Sequence, residues 1–196
     1  MSQAKNNDST VSTKDEMTEA VETTQGSVQE VTTTVTEKKK VESPQAVALI
    51  KGTASDSKLT GEVTITELPL GIRVIAQLKD VPAPGKHGFH IHENGSCDDS
   101  GKAAGGHFNP KGVMHGMLDK DGLMHAHAGD MGNITVDQNG AAYLDIFLPG
   151  LSLTQGDLNV AGKAIIVHEK EDDFGQPTGN AGGRIGCGII ELKPKQ

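Results

Sequence analysis

The sequence predicts an all-β fold, an eight-stranded antiparallel Greek-key β-sandwich or barrel with two long functional loops. Three observations support this prediction. Short runs rich in Val, Ile and Leu alternate with polar residues and are bounded by Gly, Pro, Asn and Asp. No segment between these runs has a convincing helical period. Aromatic residues make up only 3% of the chain and tryptophan is absent, so the core must be built from aliphatic side chains.

The eight predicted strands follow one another in the second part of the chain. In order, they occupy residues 45–52, 61–80 (two strands), 87–93, 133–148 (two strands), 163–169 and 184–193. The pair in 61–80 is separated at Pro69 and Gly71. The pair in 133–148 flanks Asn139-Gly140, the strongest short signal for a hairpin. Long irregular stretches at 94–131 and 169–183 are unusual in a compact domain unless they have a function or something holds them in place.

Residues 1–44 differ in texture from the rest and are predicted to be a separate N-terminal tether. They consist mainly of Thr, Glu, Ser, Gln, Lys and Val, which bury too little apolar surface to offset the entropy lost on ordering. Disorder is the favoured interpretation, and residues 45–196 form the predicted domain. A heptad-like spacing leaves a partly helical oligomerisation arm as the alternative; its positions are Met17, Val21, Thr24, Val28, Val31 and Val35.

Charge and hydropathy exclude several classes of function. The net charge of −8 argues against nucleic acid as a partner, because phosphate binding needs clustered Lys and Arg. No window reaches the roughly 18 apolar residues that a transmembrane span needs. The first residues lack the basic and apolar regions of a signal peptide. The expected location is therefore the cytoplasm if Met1 is the native start, or outside it if a signal was removed.

The histidines indicate a metal site. Seven of the eight lie between residues 87 and 127. His90 and His92 project from the same face of a predicted strand, while Phe89 and Ile91 face the core. Three imidazoles and one carboxylate suit a closed, structural zinc site, and four imidazoles suit copper. The proposed zinc set is His107, His115, His127 and Asp130, and the proposed copper set is His90, His92, His168 and the shared His107.

Five motifs give the chain a resemblance to the Cu,Zn superoxide dismutases, over about residues 46–193. In order they are GFHIHE, GGHFNP, HAGDMGN, VHEKEDD and GNAGGRIGCG. The resemblance implies the copper and zinc sets above, with His107 bridging the two ions. It implies that Asp172 links a copper histidine to a zinc histidine, that Arg184 attracts the anionic substrate, and that Cys97 and Cys187 form a disulfide. His87 is expected to make hydrogen bonds to the backbone of a loop, and His125 is expected to lie at the surface.

The function that the resemblance implies is superoxide dismutation. Cu(II)/Cu(I) cycling would convert superoxide to dioxygen and hydrogen peroxide, with His107 releasing copper and taking a proton on reduction, and with zinc in a structural role. The chain differs from eukaryotic members in its short segment between His168 and Arg184. That difference predicts a rate below the diffusion limit, with the candidate lysines Lys102, Lys163 and Lys170 left to attract the substrate.

Two rival interpretations and two open properties accompany this prediction. The first rival is a non-enzymatic copper or zinc carrier of the same fold, and the second is an assembly protein in which the N-terminal heptads matter most. The resemblance leaves the oligomeric state open, with a homodimer among the alternatives. The implied disulfide favours an extracytoplasmic location, periplasmic or at the cell surface. The methionines among the histidines, which are Met114, Met117, Met124 and Met131, are interpreted as packing residues rather than transient Cu(I) ligands.

Overall fold

The computed structural model describes residues 42–194. Most of the tether predicted for residues 1–44, with its heptad-like positions, therefore lies outside the described residues. The strands are β1 (Gln45–Gly52), β2 (Thr60–Leu68), β3 (Gly71–Lys79), β4 (Gly85–His92), β5 (Asp130–Val136), β6 (Ala142–Pro149), β7 (Ala164–His168), β8 (Arg184–Ile189) and β9 (Glu191–Leu192). One helical turn, α1 (Leu118–Asp121), and a 3-10 turn, Lys102–Ala104, lie in the first long loop.

The strands form a closed antiparallel barrel. Their order is β2-β3-β6-β5-β4-β7-β8-β1, and β1 pairs with β2 to close the sheet. β3 and β4 are consecutive in the chain but are separated in the sheet by β6 and β5, as a Greek-key connection requires. The predicted all-β, eight-stranded barrel is confirmed. The last predicted strand is interrupted at Ile190, so that the short β9 pairs separately with β1.

Alternation along each strand builds an aliphatic core. On β1, Ala46, Ala48 and Ile50 are buried, whereas Leu49 between them is 59% exposed. On β4, Phe89 and Ile91 face this core, as the alternation predicted. The residues between them, His90 and His92, are equally buried, because long loops cover the outer face of this strand. β4 is thus a central strand with an apolar inner face and a covered polar outer face.

The hairpin predicted at Asn139-Gly140 joins β5 to β6. Its turn spans residues 137–141 and is organised by Asp137, whose side chain accepts hydrogen bonds from the backbone of Asn139 (2.8 Å) and Ala141 (2.9 Å). Gly140 has φ 76, a left-handed conformation that suits glycine. β5 and β6 share a single paired position, Val136 and Ala142. The turn therefore joins two strands that diverge, and α1 lies against both of them, with Leu118 fully buried.

Three long loops connect strands of the barrel. The first runs from Glu93 to β5, the second joins β6 to β7, and the third joins β7 to β8. The disulfide between Cys97 and Cys187 attaches the first loop to β8, as the resemblance implied. In residues 42–194, no helix combines the length and apolarity that crossing a membrane demands.

Candidate metal centre

The first cluster of histidines lies on the outer face of the β4–β7 pair. His90 and His92 are opposite Ile166 and Ala164 of β7, and His168 is the last residue of that strand. His107 reaches the cluster from the first loop, where it forms a bridge with His92. One nitrogen of each ring lies within 4.8 Å of the other three, and all four residues are buried. The structure thus brings together the four residues predicted to bind copper.

Hydrogen bonds on the outer side of these rings fix which nitrogens are free. The Nδ1–H groups of His92 and His168 donate to backbone carbonyls, of Gly105 at 3.0 Å and Gly182 at 3.4 Å. Their Nε2 atoms are therefore unprotonated, yet they face each other at 3.3 Å. Two lone pairs repel each other at this distance unless a cation lies between them. The donor set fits a metal ion.

The free nitrogen of His90 is identified in the same way, from the hydrogen bond that its other ring nitrogen makes. His90 Nε2 lies 2.8 Å from Asp172 Oδ2, to which it donates its proton. That leaves Nδ1 of His90 unprotonated, buried and without a hydrogen-bond partner in the part of the chain that the structure describes. A buried polar atom without a partner is costly, and a metal ligand is a common explanation for one. Burial lowers the pKa of His90 to about 4, of His92 to about 2 and of His168 to about 3. All three rings are therefore neutral, and each can offer a nitrogen lone pair to a metal ion.

The second cluster is arranged around Asp130, the first residue of β5. Its Oδ1 lies 2.8 Å from His107 Nδ1 and 3.1 Å from His127 Nδ1, and its Oδ2 lies 2.9 Å from His115 Nδ1. His115 Nδ1 makes no hydrogen bond despite that distance. One ligand atom from each of the four residues lies within 4.8 Å of the others. The predicted zinc residues are therefore together, and three nitrogens and one oxygen are a donor set that zinc prefers.

Electrostatics differ in this second cluster because it contains a carboxylate. Burial opposes the ionisation of Asp130, but the adjacent rings of His107, His115 and His127 hold the pKa of that carboxyl far below its usual range. Burial also opposes the charged form of His115 and on its own would lower the pKa of that ring. The neighbouring carboxylates of Asp130 and Asp172 outweigh burial and raise the pKa of His115 to about 9. A proton and a metal ion thus compete for the same nitrogen.

Asp172 connects the two clusters. One carboxylate oxygen accepts from His90 Nε2, and both oxygens lie 3.0 Å from His115 Nε2. Hydrogen bonds from His115 and His90 lower the pKa of Asp172 against the opposing effect of burial. Asn133 of β5 holds the backbone of Asp172 through two hydrogen bonds, of 2.8 and 2.9 Å. Asp172 thus occupies the linking position that the resemblance implied.

Arg184 lies beside the first cluster at the start of β8. Its guanidinium donates to the carbonyls of Gly101 (2.6 Å), Lys102 (3.3 Å) and Gly105 (2.5 Å). Gly105 is also the acceptor for His92, so one carbonyl positions both side chains. Partial burial lowers the pKa of Arg184. A guanidinium anchored by carbonyls keeps its full charge, because no carboxylate among the described residues pairs with it.

The remaining predicted residues take less central positions. His87 is buried, with Nδ1 2.8 Å from the carbonyl of His168 and Nε2 2.9 Å from that of Ala83. His125 is exposed, as predicted. Met131 packs in the core and Met117 packs on Gly132, but Met114 and Met124 are 67% and 66% exposed and are not packing residues.

The three candidate lysines differ in how available their charges are. Lys163 lies 4.0 Å from the centre of the Phe108 ring and donates to the carbonyl of Glu93 at 3.3 Å. Because the Lys163 ammonium already makes these two contacts, it is poorly placed to attract the substrate. The aliphatic stem of Lys170 lies against Gly182, whose carbonyl positions His168. Lys102 is exposed and its own carbonyl is bonded to Arg184.

Sequence reasoning missed the backbone and amide groups that position the ligands. The carbonyls of Gly105 and Gly182 and the side chains of Asn133 and Gln176 are examples. Backbone carbonyls have no residue-type signature, so no motif identifies them. The density of glycine in GGHFNP and GNAGG was the available signal, because close backbone approach favours glycine.

Comparisons with known proteins agree with the geometry. A family profile described as "Copper/zinc superoxide dismutase (SODC)" matches residues 59–190. The chain is 38% identical over 160 residues to the extracellular superoxide dismutase [Cu-Zn] of Drosophila melanogaster, covering 76% of this chain and 86% of that one. It is 37% identical over 142 residues to superoxide dismutase [Cu-Zn] 2 of Aquifex aeolicus (strain VF5), covering 69% and 81%. The solved structure of the clock protein EA4 is similar with a TM-score of 0.68 and 33% identity, covering 77% of this chain and 96% of that chain.

Proposed function

The chain belongs to the copper/zinc superoxide dismutase family and is an oxidoreductase of superoxide that uses copper and zinc, and we propose how its residues divide that work. Copper is held by His90, His92, His107 and His168, and zinc by His107, His115, His127 and Asp130. The observation that supports this assignment most directly is the pair of unprotonated Nε2 atoms of His92 and His168, which face each other at 3.3 Å.

The two ions have different tasks in this proposal. When bound, copper would supply a one-electron Cu(II)/Cu(I) couple, through which one superoxide would be oxidised to dioxygen and a second reduced to peroxide. Zinc would be structural, since His107, His115, His127 and Asp130 would supply four protein ligands and leave no position for substrate.

The protein's own residues bind the anion and move protons. Arg184 presents a fixed positive charge in a partly desolvated position, where it attracts a small anion more strongly than it would in bulk water. His107 is the proton carrier. Its Nδ1 faces Asp130 at 2.8 Å, so its Nε2 faces the copper set and can take a proton during the first half-reaction. Delivery of that proton to the reduced second superoxide, together with a second proton from solvent, would balance the conversion of two superoxides and two protons to dioxygen and hydrogen peroxide.

The test is metal content together with superoxide consumption on the purified, reconstituted chain. We expect one copper and one zinc per chain, with turnover lost in His92→Ala and kept in His125→Ala, whose exposed ring lies outside both sets. Zinc without copper, or both metals without turnover, would instead favour a metal carrier of the same fold.

We further propose that residues 45–196 carry the activity alone. Every residue assigned above lies in β4–β8 or the loops between them. Deletion of residues 1–44 should leave the specific activity unchanged, whereas a marked loss of activity would favour an assembly role for the N-terminal heptads. A homodimer stays a prediction of the resemblance.

An extracytoplasmic location is the compartment we propose. The Cys97–Cys187 disulfide supports it, because stable disulfides belong mainly to oxidising compartments. A Drosophila relative named as extracellular gives the same indication. Fractionation of the native host should recover the protein outside the cytoplasm; recovery in the cytosol with reduced cysteines would contradict the proposal.

A further inference from the structure

The loop between β7 and β8 contacts His115 on its backbone, its ring face and its outer nitrogen. These contacts come from Gln176, Phe174 and the Asp172–Gly179 pair, about sixty residues away in sequence. His115 is a member of the second cluster only, and its side chain is completely buried. The loop between β7 and β8 thus encloses His115, a residue of the proposed zinc set.

Gln176 holds the backbone of His115 with both ends of its amide. Its Oε1 accepts from His115 N–H at 3.0 Å, and its Nε2 donates to the His115 carbonyl at 2.9 Å. This pair of bonds copies the pairing between two strands, although Gln176 is itself exposed. Since both backbone groups of His115 are engaged, the residue cannot rotate away without breaking two hydrogen bonds.

The ring of Phe174 lies beside the ring of His115. The two rings are stacked, with centroids 6.2 Å apart and an interplanar angle of 19°. Phe174 has φ 59, a left-handed conformation that is costly for a bulky residue and persists only where the surroundings enforce it. Its N–H donates to Asp172 Oδ1 at 2.8 Å, and that oxygen also lies 3.0 Å from His115 Nε2. The unusual backbone places the ring beside that of His115 and roughly parallel to it, and lets the Phe174 N–H donate to Asp172.

Gly179 closes the outer nitrogen side. A Cβ on this residue would collide with Asp172 Oδ1 and would lie 2.7 Å from His115 Nε2. Only a glycine lets the backbone approach the Asp172–His115 contact so closely.

From these contacts we infer that Phe174 and Gln176 are positioning residues that hold His115 in place and set the rate at which zinc leaves the protein. The inference rests on the proposed zinc assignment and extends it to residues outside the ligand set. Zinc release requires His115 to move or water to reach it, and these two side chains oppose both events. Among residues 42–194, neither side chain makes a hydrogen bond or a ring contact with a copper-set residue, so copper retention should be independent of them.

The experiment measures metal loss from the full chain loaded with copper and zinc. Excess chelator is added, and zinc and copper release are followed separately in the parent, Phe174→Ala, Gln176→Ala and Thr178→Ala proteins. Thr178 is exposed, lies in the same loop and makes no side-chain hydrogen bond in the described part of the chain, so it is the matched control. We expect zinc release to be about tenfold faster in the first two variants and unchanged in the control.

Two further measurements distinguish a specific effect on the position of His115 from a general loss of stability of the fold. Phe174→Tyr keeps the ring and should release zinc at close to the parent rate. The melting temperature of the metal-free variants should match that of the parent. Copper release should be equal in all proteins.

The outcomes are distinct. Zinc release within about twofold of the parent in both alanine variants would overturn the inference and leave the proposed function intact. Equal acceleration of copper and zinc release, with a lower metal-free melting temperature, would also overturn it. A parent protein that takes up no zinc would overturn the zinc assignment itself and the inference with it.

Discussion

The two halves of the proposed metal centre are built mainly from histidine, yet they differ in the groups that face the rings. The copper half is the set His90, His92, His107 and His168, and the zinc half is the set His107, His115, His127 and Asp130. In the copper half, backbone carbonyls accept from His92 and His168, and the pKa values of these rings fall to about 2 and about 3. In the zinc half, carboxylates face His115 and raise its pKa to about 9. Burial dominates for His92 and His168, whereas at His115 two carboxylates outweigh burial.

This difference assigns separate tasks to the halves. The copper half combines neutral rings with the guanidinium of Arg184, which no carboxylate within residues 42–194 pairs, so it is the more positive half and can admit an anion. The zinc half balances its metal charge with Asp130 and is enclosed by the loop that carries Phe174 and Gln176. One half is suited to exchange substrate and electrons, and the other to hold its ion.

Removal of the disulfide should have the largest effect and should weaken the copper half first. The bond joins the loop whose carbonyls hold Arg184 to the strand that carries Arg184, across a sequence separation of 90. Replacing Cys97 and Cys187 together by Ser should lower the free energy of unfolding by about 4 to 5 kcal/mol. Denaturant unfolding of the metal-free protein measures it. A loss under about 1 kcal/mol would mean that the reduced chain is already constrained.

Asp130→Asn should break the zinc half while sparing the copper half. The substitution removes the negative charge that faces three histidines but keeps the volume of the side chain. We expect zinc affinity to fall by more than about 100-fold, because a direct ligand matters more than an outer-shell partner. Competition titration against a chelator measures zinc, and copper bound at His90, His92 and His168 serves as the internal reference. Loss of both metals together would contradict the division into halves.

Arg184→Lys tests the copper half alone. Lysine keeps the charge but lacks the planar fork that donates to the carbonyls of Gly101 and Gly105. We expect kcat/KM for superoxide to fall about tenfold, with zinc and copper content unchanged. The dependence of the rate on ionic strength should remain, because the charge is retained. An unaltered rate would show that charge alone, without its anchoring, attracts the substrate.

The division between what could and could not be predicted has a physical basis. Alternation along β4 predicted that His90 and His92 would share a face, because side-chain direction in a strand is a local property. The start of β5 was placed three residues late, since Asp130 pairs with His90 across the sheet and no local pattern marks that pairing.

The enclosure of His115 was equally invisible in the sequence. The contacts of Gln176 and Phe174 join segments about sixty residues apart, and neither residue type suggests a metal site. Ligands could be predicted because their chemistry limits them to a few residue types. The groups that hold the ligands could not, because any donor, carbonyl or ring of suitable shape can serve.

The smallest expected effect comes from an ion pair outside both halves, which tests whether charge matters only near the metals. On the outer barrel face, Asp145 accepts two hydrogen bonds from Arg73, and this pairing lowers the pKa of Asp145. A carboxyl with a lowered folded-state pKa adds stability above its unfolded pKa of about 4, and that stability is lost as pH falls through the folded-state value. Asp145→Asn should therefore flatten the acid limb of the stability profile of the chelated protein slightly, and activity at neutral pH should not change. A clear fall in activity would mean that distant surface charge reaches the copper half, and the comparison of the two halves would then have to include the whole barrel surface.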